Sequence, residues 1–303
     1  MKSDEITLHR GLQGVYFDRS ATTFIDGKQG VLEYRGYNIH DLAEYSTFEE
    51  TAYLLIHGNL PTQAQLDEFD SELKGARELP EKVFDVIDLV KDSHPMDVLR
   101  TAVSALASFD PERGDNSPEA TIHKGNRLTS QVPRIVMAHH AIRRGKDPVK
   151  PSSTLSHAAN FLYMLEGNEP SADAANLMDK DFVLHADHGS NASAFTARTV
   201  AGTAADVHGA VTAGIAALSG PSHGGAAENV MQMAKEIGKP ENAAGYVHDL
   251  LSSRQRVMGF GHRVYKAEDP RARHLREGVK NLSEEVGQPE WYQILEGVVD
   301  AMK

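Results

Sequence analysis

Cysteine is absent from the chain. Its absence excludes disulfides, zinc–thiolate sites and a thiol nucleophile, and it fits a reducing, cytoplasmic setting. Long apolar runs are absent as well. The most apolar stretch, Val211 to Leu218, is rich in Ala and Gly and far short of the roughly 20 residues that a bilayer span needs, so no membrane span is expected. The opening MKSDEITLHR is charged and does not read as a signal peptide. Positive charge is in deficit: 31 Lys and Arg face 43 Asp and Glu, for a net charge of −12. The one basic cluster is the short Arg143-Arg144-Gly145-Lys146, whereas a nucleic-acid binder presents a basic face, so no nucleic-acid partner is expected. A small anionic ligand is still admissible, because a pocket can oppose the net field locally. The chain also lacks a Walker A loop, Gly-x-Gly-x-x-Gly after a strand, and His-Glu-x-x-His. Those gaps set aside the P-loop, dinucleotide and zincin readings.

What the chain has is length and helical patterning. At 303 residues, 40% of them hydrophobic, it can bury a sizeable core in two ordinary domains or one large one. Only the N-terminal region reads as β structure: Gly14 to Tyr34 places β-branched and aromatic residues around Asp26-Gly27, a hairpin-turn signal. Helix signals dominate thereafter. Thr47-Phe48-Glu49-Glu50 has the pattern of a capping box, opening a helix that ends near Gly58, and Thr62 to Gln65 repeats it. Pro80 opens another helix, EKVFDVIDLVKDS. Between Pro95 and Phe109, residues Val98, Leu99, Ala102, Val103 and Leu106 fall at helical spacing. Ser152-Ser153 is expected to cap the helix through STLSHAANFLYMLEG. Asn191 to Leu218, Ala-rich with few glycines, reads as one or two tightly packed helices, and Pro240 and Pro289 begin two more. Residues 111–118 and 143–151 are loops. Gly220-Pro221-Ser222-His223-Gly224-Gly225 is the sharpest break. It divides a large helical domain, 1–220, from a smaller one, 221–303. The expected fold class is all-α, a multi-helix bundle with one small N-terminal β-hairpin.

Three segments concentrate chemistry. The first runs from Gly259 to Arg271, GFGHRVYKAEDPR. Its glycines let backbone approach a ligand, His262 can exchange a proton near neutral pH, and Arg271 offers a planar fork for a carboxylate. The same residues make an ordinary Gly-rich turn with a surface histidine, and taken alone they leave both readings open. In the second, His223 precedes a helix expected to run through ENVMQMAKEIG. Free N–H groups at that helix start would favour an anion or a developing negative charge beside the ring; a plain turn leading into a helix is the alternative. In the third, His185-Ala186-Asp187-His188-Gly189, two histidines three residues apart could share a helix face with Asp187 beside them. Too few partners surround them for a metal site. An anion-binding or supporting role suits His188, which abuts Gly189 at a helix end, and a polar helix terminus is the alternative. His139-His140 in an amphipathic helix and His57 at a helix C-terminus read as ordinary.

Taken together and in this order, LHADHGSNAS (184–193), LSGPSHGGAAENV (218–230) and GFGHRVYKAEDPR (259–271) resemble the three signature segments of the citrate synthase family. YRGYNIHDLA (34–43) and AYLLIHGNLPT (52–62) are similar to its N-terminal region. The likeness runs from about Gly14 to the last residue. It implies condensation of an acyl-CoA with a 2-oxo acid, typically acetyl-CoA with oxaloacetate, giving citrate and free CoA. It implies that His223 stabilises the enolate oxygen, and that His262 polarises the oxaloacetate carbonyl and protonates the new alkoxide. His188 and Arg271 would hold oxaloacetate carboxylates. Backbone from Val257 through Gly259 to Gly261 would lie against the CoA adenine, and Lys266 would meet its phosphates. The small domain would close over the large one. Coenzyme A then enters as an acyl-carrier substrate, with no permanently bound cofactor and no metal. A homodimer is a further implication; the Ala/Gly-rich helices of 191–218 would suit a dimer interface and would equally suit an internal core.

The family's catalytic aspartate lies in an Asn-Val-Asp segment beyond the helix that follows Pro289, with further arginines after it. The sequence runs to Lys303 without that segment, and Asp300, within WYQILEGVVDAMK, is not equated with the base. The expectation is therefore a C-terminally truncated enzyme whose 303 residues alone condense acetyl-CoA and oxaloacetate very poorly. A short form that binds CoA or dicarboxylate without turnover is the alternative. Within the same class the alternative is 2-methylcitrate synthase, which takes propionyl-CoA, since one methylene is worth only ~1–3 kcal/mol of discrimination.

Overall fold

The computed structural model of the chain describes residue 15, residues 18–261 and residues 264–303. His262 therefore lies outside the described residues, as does the first part of the expected hairpin region. Three short strands, β1 (Thr23–Asp26), β2 (Val31–Tyr34) and β3 (Tyr37–Asn38), form an antiparallel sheet in the order β1-β2-β3. The Asp26-Gly27 signal marks the β1–β2 turn: Asp26 Oδ1 accepts the N–H groups of Lys28 and Gln29, closing it from the side chain. β3 enlarges the hairpin to three strands, pairing Glu33 with Asn38 and Tyr34 with Tyr37. A two-residue strand has no periodicity to read. Along β2 the pleat sends Leu32 and Tyr34 fully into the core.

Among the described residues all the other regular elements are helical. They are α1 (Ile39–Tyr45), α2 (Phe48–His57), α3 (Gln63–Gly75), α4 (Glu81–Leu89), α5 (Pro95–Leu106), α6 (Pro118–Ile142) and α7 (His157–Glu166). Then come α8 (Ala172–His185), α9 (Ala192–Ala201), α10 (Val207–Leu218), α11 (Gly225–Ile237), α12 (Ala243–Ser252), α13 (Ala272–Glu285) and α14 (Pro289–Ala301). A 3₁₀ turn at Pro240–Asn242 leads into α12. The all-α class with a small sheet is what the sequence patterning indicated. Among the described residues no helix is long and apolar enough to cross a membrane.

Most caps fall where expected. Thr62 and Gln65 make the full reciprocal capping box of α3. Thr47 accepts the Glu50 N–H at α2, but the Glu50 carboxylate turns to the Ser46 hydroxyl, so only half of that box forms. Gly58 ends α2 in the left-handed conformation. The Ser152-Ser153 cap is a miss. α7 is capped by Ser156, whose hydroxyl accepts the Ala159 N–H. Ser152 instead closes a turn of its own, accepting the N–H groups of Thr154 and Leu155. Arg77, 2% exposed, explains the shift: it draws the carbonyls of Ser152 and Leu155 onto its guanidinium at 2.6 and 2.9 Å, which holds 152–155 as loop.

Four cores organise the described helices, the smallest of them Ala52 of α2 with Phe69 and Leu73 of α3. The first joins Val83 and Ile87 of α4, Val98, Ala102 and Val103 of α5, and Ile135 of α6. Beside it α9 and α10 are two closely packed helices; a Cβ on Gly214 would lie 3.4 Å from the Ser193 carbonyl oxygen. The second lies under the sheet, from Leu32, Tyr34, Ile39, Leu42, Leu54, Val183 and Leu184. The third draws Met233, Ala234, Val247, Val257, Ile294 and Val298 from α11, α12, α14 and the segment after α12. α13 stands apart: none of its residues is buried, and its Leu275 reaches back to the core under the sheet.

A buried acid marks the junction of α2 and α8. Asp179 accepts the Phe48 N–H at 3.2 Å, yet burial, and behind it the Glu49 carboxylate, push its pKa up to about 6. The fold thus favours the protonated form. The stability gained from it is complete below the unfolded carboxylate pKa and lost as pH rises through about 6. Asp179→Asn keeps an acceptor for Phe48 and removes the charge. It should stabilise the protein near pH 8 by on the order of 1–2 kcal/mol in urea denaturation, with the gain disappearing toward pH 4.

Candidate active site

The α8–α9 turn is the meeting point of the three sequence segments. α8 ends at His185, and α9 is capped by Asn191, whose side chain accepts the N–H groups of Ser193 and Ala194. The turn between them is tied to the sheet from below. The Tyr34 hydroxyl donates to the Leu184 carbonyl at 3.2 Å and accepts the Asp187 N–H at 3.3 Å. Asp187 accepts the Thr23 hydroxyl with one oxygen and the Gly189 N–H, at 3.1 Å, with the other. This carboxylate shapes the turn.

His185 and His188 do not share a helix face. The last turn of α8 tightens, with the Ala186 N–H reaching Val183, and Gly189 reverses the chain at φ +61°. His185 folds back onto Asp181, hydrogen-bonding its carbonyl at 2.9 Å, and the Asp181 carboxylate raises its pKa above the usual imidazole range. His188 points the other way, its Nε2 lying 3.0 Å from the Tyr265 hydroxyl with the rings edge to face. Tyr265 is 4% exposed, and its pKa is pushed up to about 12, by burial first and by Asp269 second. Its O–H therefore stays protonated and can donate to the ring. Among the described residues no group of three or more His, Cys, Asp or Glu could hold a metal ion.

His223 reaches the same turn from the other side. Its Nε2 lies 2.8 Å from the Ser193 hydroxyl in the first turn of α9; Nδ1 makes no hydrogen bond among the described residues. The helix after it starts at Gly225, as the sequence indicated, but its first N–H groups are not free for an anion. Gly224 donates to Leu218, Gly225 to Gly220, Ala226 to His223 and Ala227 to Gly224. The tight Gly-Pro-Ser reversal folds these carbonyls over the helix end and satisfies it internally.

Arg271 caps α13 from the segment that carries Tyr265. Its guanidinium grips its own neighbour Asp269 in a fork, Nε to Oδ1 at 2.9 Å and Nη2 to Oδ2 at 2.7 Å, while Nη1 makes no hydrogen bond among the described residues. Gly259 and Gly261 both sit at left-handed φ, +89° and +82°, where a side chain would be strained. The Val257 side chain is buried in the third core. Lys266 is exposed, and its N–H donates to the Gly27 carbonyl at 2.7 Å. The structure thus gathers His188, Tyr265, Asp269 and Arg271 above one turn and sets His223 beside it through Ser193. Tyr34, Ser193, Tyr265 and Asp269 were not singled out from sequence. The last three lie inside the signature segments; the partners of Ser193 and Tyr265 come from other elements and share no spacing with them, whereas Asp269 pairs with Arg271 two residues on.

The 264–269 loop is seated on the hairpin so closely that Gly27 has no room for a side chain: a Cβ there would lie 2.2 Å from the Val264 carbonyl oxygen. Gly27→Ala should lift the loop and destabilise the protein by about 1–3 kcal/mol. Urea denaturation gives the loss of stability, and hydrogen exchange of the Lys266 amide, now released from Gly27, reports the lifted loop.

Residues 11–303 match the family model described as "Citrate synthase, C-terminal domain". A citrate synthase of Deinococcus radiodurans is 45% identical over 95% of this chain and 77% of its own length. One of Synechocystis is 43% identical over 99% of this chain and 77% of its own. A 2-methylcitrate synthase of Corynebacterium glutamicum is 39% identical over 97% of this chain and 79% of its own. Among solved structures, the citrate synthase of Pyrobaculum aerophilum superposes with a TM-score of 0.89 at 38% identity, over 95% of this chain and 74% of that one. The citrate synthase of Thermoplasma acidophilum, in a ternary complex with carboxymethyl coenzyme A and oxaloacetate, gives 0.91 at 28% identity, over 97% and 78%. With the signature segments converging on one turn, these likenesses place the chain in the citrate synthase family.

Proposed function

We infer that the protein condenses acetyl-CoA with oxaloacetate and water to give citrate and CoA. The observation that carries this is the convergence on the α8–α9 turn: His188 and Arg271 on one side, suited to carboxylates, and His223, oriented by Ser193, on the other. A dicarboxylate needs a guanidinium rather than another acid. Asp269 holds Arg271 by one edge and leaves Nη1 for a ligand oxygen. His223 would donate to the enolate oxygen as charge develops there, a contribution of about 3–4 kcal/mol for a preorganised donor. His262 belongs to the same reading by its place in the 259–271 segment, polarising the ketone and protonating the alkoxide. Backbone at Val257, Gly259 and Gly261, with Lys266, would meet the adenine and phosphates of CoA. The Thermoplasma relative, crystallised with a CoA derivative and oxaloacetate, supports this assignment.

Three wider features complete the proposal. The chain would work as two domains, 1–220 and 221–303, the smaller closing over the larger to exclude water. It would be a homodimer, supported by α9, a helix with several apolar residues that buries none of them within the protomer. A cytoplasmic location is supported by a chain in which nothing depends on an oxidising compartment. The Corynebacterium relative favours propionyl-CoA as the second reading, and the ratio of kcat/KM for the two thioesters decides between them.

Because the protein has no cysteine, any thiol appearing in an assay is CoA. Thiol release should require both thioester and oxaloacetate. Arg271→Met should weaken oxaloacetate binding, measured by calorimetry, at least ~10-fold. His223→Ala should leave that affinity within about threefold and cut thiol release by about 10²–10³. Oxaloacetate binding indifferent to Arg271, or binding with no thiol release even by a longer chain that carries the Asn-Val-Asp segment, would overturn the condensation reading.

A further inference from the structure

A second cluster of histidines ties the segment carrying Arg271 to the N-terminal helix. Arg273 and His274 stand in the first turn of α13, and the His274 N–H donates to the Arg271 carbonyl at 3.1 Å. Facing them on α1, His40 is held on both ring nitrogens. Arg273 Nη2 lies 2.6 Å from its Nε2, and His274 Nε2 lies 2.7 Å from its Nδ1. α13 has no side-chain cap and buries none of its own residues, so beside the Leu275 contact with the core under the sheet these two side chains are what hold its first turn.

The protons in this cluster can be counted. A guanidinium only donates, so His40 Nε2 must present a lone pair and Nδ1 must carry the hydrogen. That hydrogen is given to His274 Nε2, which is therefore also a lone pair, leaving His274 protonated on Nδ1. Both rings are neutral and both tautomers are fixed. One more proton has no place. On His40 Nε2 it opposes Arg273; on His274 Nε2 it opposes the His40 Nδ1–H. If His40 then shifts its own proton to Nε2, it opposes Arg273 again. Any protonated form of the pair therefore loses at least one of the two hydrogen bonds.

The surrounding charges are Arg273 on α13, Lys180 on α8, and Asp41 and Glu44 on α1. Lys180 and Glu44 face each other at 4.0 Å. Burial, then Arg273, lowers the His40 pKa, against Asp41. Burial, then His40, Lys180 and Arg273, lowers that of His274, against Glu44. The neutral pair is thus the native form near pH 7, and its stabilising effect is complete above the ordinary imidazole pKa and lost as pH falls below it.

We propose that His40, His274 and Arg273 form a proton-sensitive clasp that positions Arg271: closed, it fixes the first turn of α13 and the dicarboxylate-binding guanidinium beside it; protonated, it opens. The role of Arg271 rests on the condensation reading above, whereas the clasp itself does not.

The test has two arms on the intact protein. In the first, ¹³C and ¹⁵N NMR of the imidazoles at about pH 7.5 should show His40 as the Nδ1–H tautomer, the minor form of free histidine. Arg273→Met should raise the His40 pKa, because Nε2 becomes free to take a proton. An Nε2–H His40, or a His40 titration unmoved by Arg273→Met, overturns the clasp. In the second, calorimetry should show wild-type oxaloacetate affinity falling at least about fivefold between pH 7.5 and 5.5. His40→Gln, whose amide offers one acceptor and one donor without titrating, should flatten that fall. Should His40→Gln fail to fold, His274→Gln, with its acceptor at the Nε2 position, takes its place in the same comparison. An unchanged pH profile in the folded variant overturns the positioning role. A protein with the expected tautomers that binds no oxaloacetate at any pH sinks the condensation reading and keeps the clasp.

Discussion

The Tyr34 hydroxyl, buried beneath the end of α8, is the interaction on which the site geometry depends. A phenol with no access to water needs partners, and two are supplied: the Leu184 carbonyl that α8 can no longer use and the Asp187 N–H that α9 cannot reach. Burial pushes the Tyr34 pKa well above its ordinary value, so the hydroxyl remains a donor. One side chain from the sheet thereby sets the height and direction of the α8–α9 turn. His188 leaves that turn toward Tyr265, and Ser193, in the first turn of α9, meets His223. A β strand, otherwise a minor part of a helical protein, is what aligns residues drawn from three distant segments.

Electrostatic preparation follows the same economy. In a chain of net charge −12 a dicarboxylate needs local positive charge held in place. Arg271 is held by Asp269, two residues away on its own segment, which leaves little conformational entropy to lose when a ligand arrives. The segment itself is seated on the hairpin turn, where Gly27 lets backbone meet backbone. Hairpin, turn and loop therefore form one assembly, and a disturbance of any of them is felt at the guanidinium.

The histidines show how neighbours decide what a residue type can do. His185 leans on Asp181 and is drawn toward its charged form, whereas His157, almost fully buried, is held neutral with a pKa lowered to about 4, by burial and then by Arg77. His40 and His274 share one hydrogen between them, which makes their neutrality a condition of the contact. His188 and His223 each hydrogen-bond a protein hydroxyl through Nε2, which orients the ring.

Local chemistry determined much on its own. Hydrophobic spacing and capping residues marked α2, α3 and α5, because those signals act within a few residues of chain. Asp26-Gly27 marked the hairpin for the same reason, and the order of the three signature segments carried the family and its candidate site residues. Tertiary structure decided what depends on distant partners. Arg77 moved the start of α7 by withdrawing two carbonyls, and Tyr34 stopped the α8 end from carrying His185 and His188 on one face. The Gly-Pro-Ser reversal filled the helix start beside His223 with its own carbonyls. Tyr265 and Ser193 took their roles only when the segments met. A hydrogen bond requires two atoms within about 3 Å of each other, and sequence spacing cannot report that proximity for residues brought together by the fold.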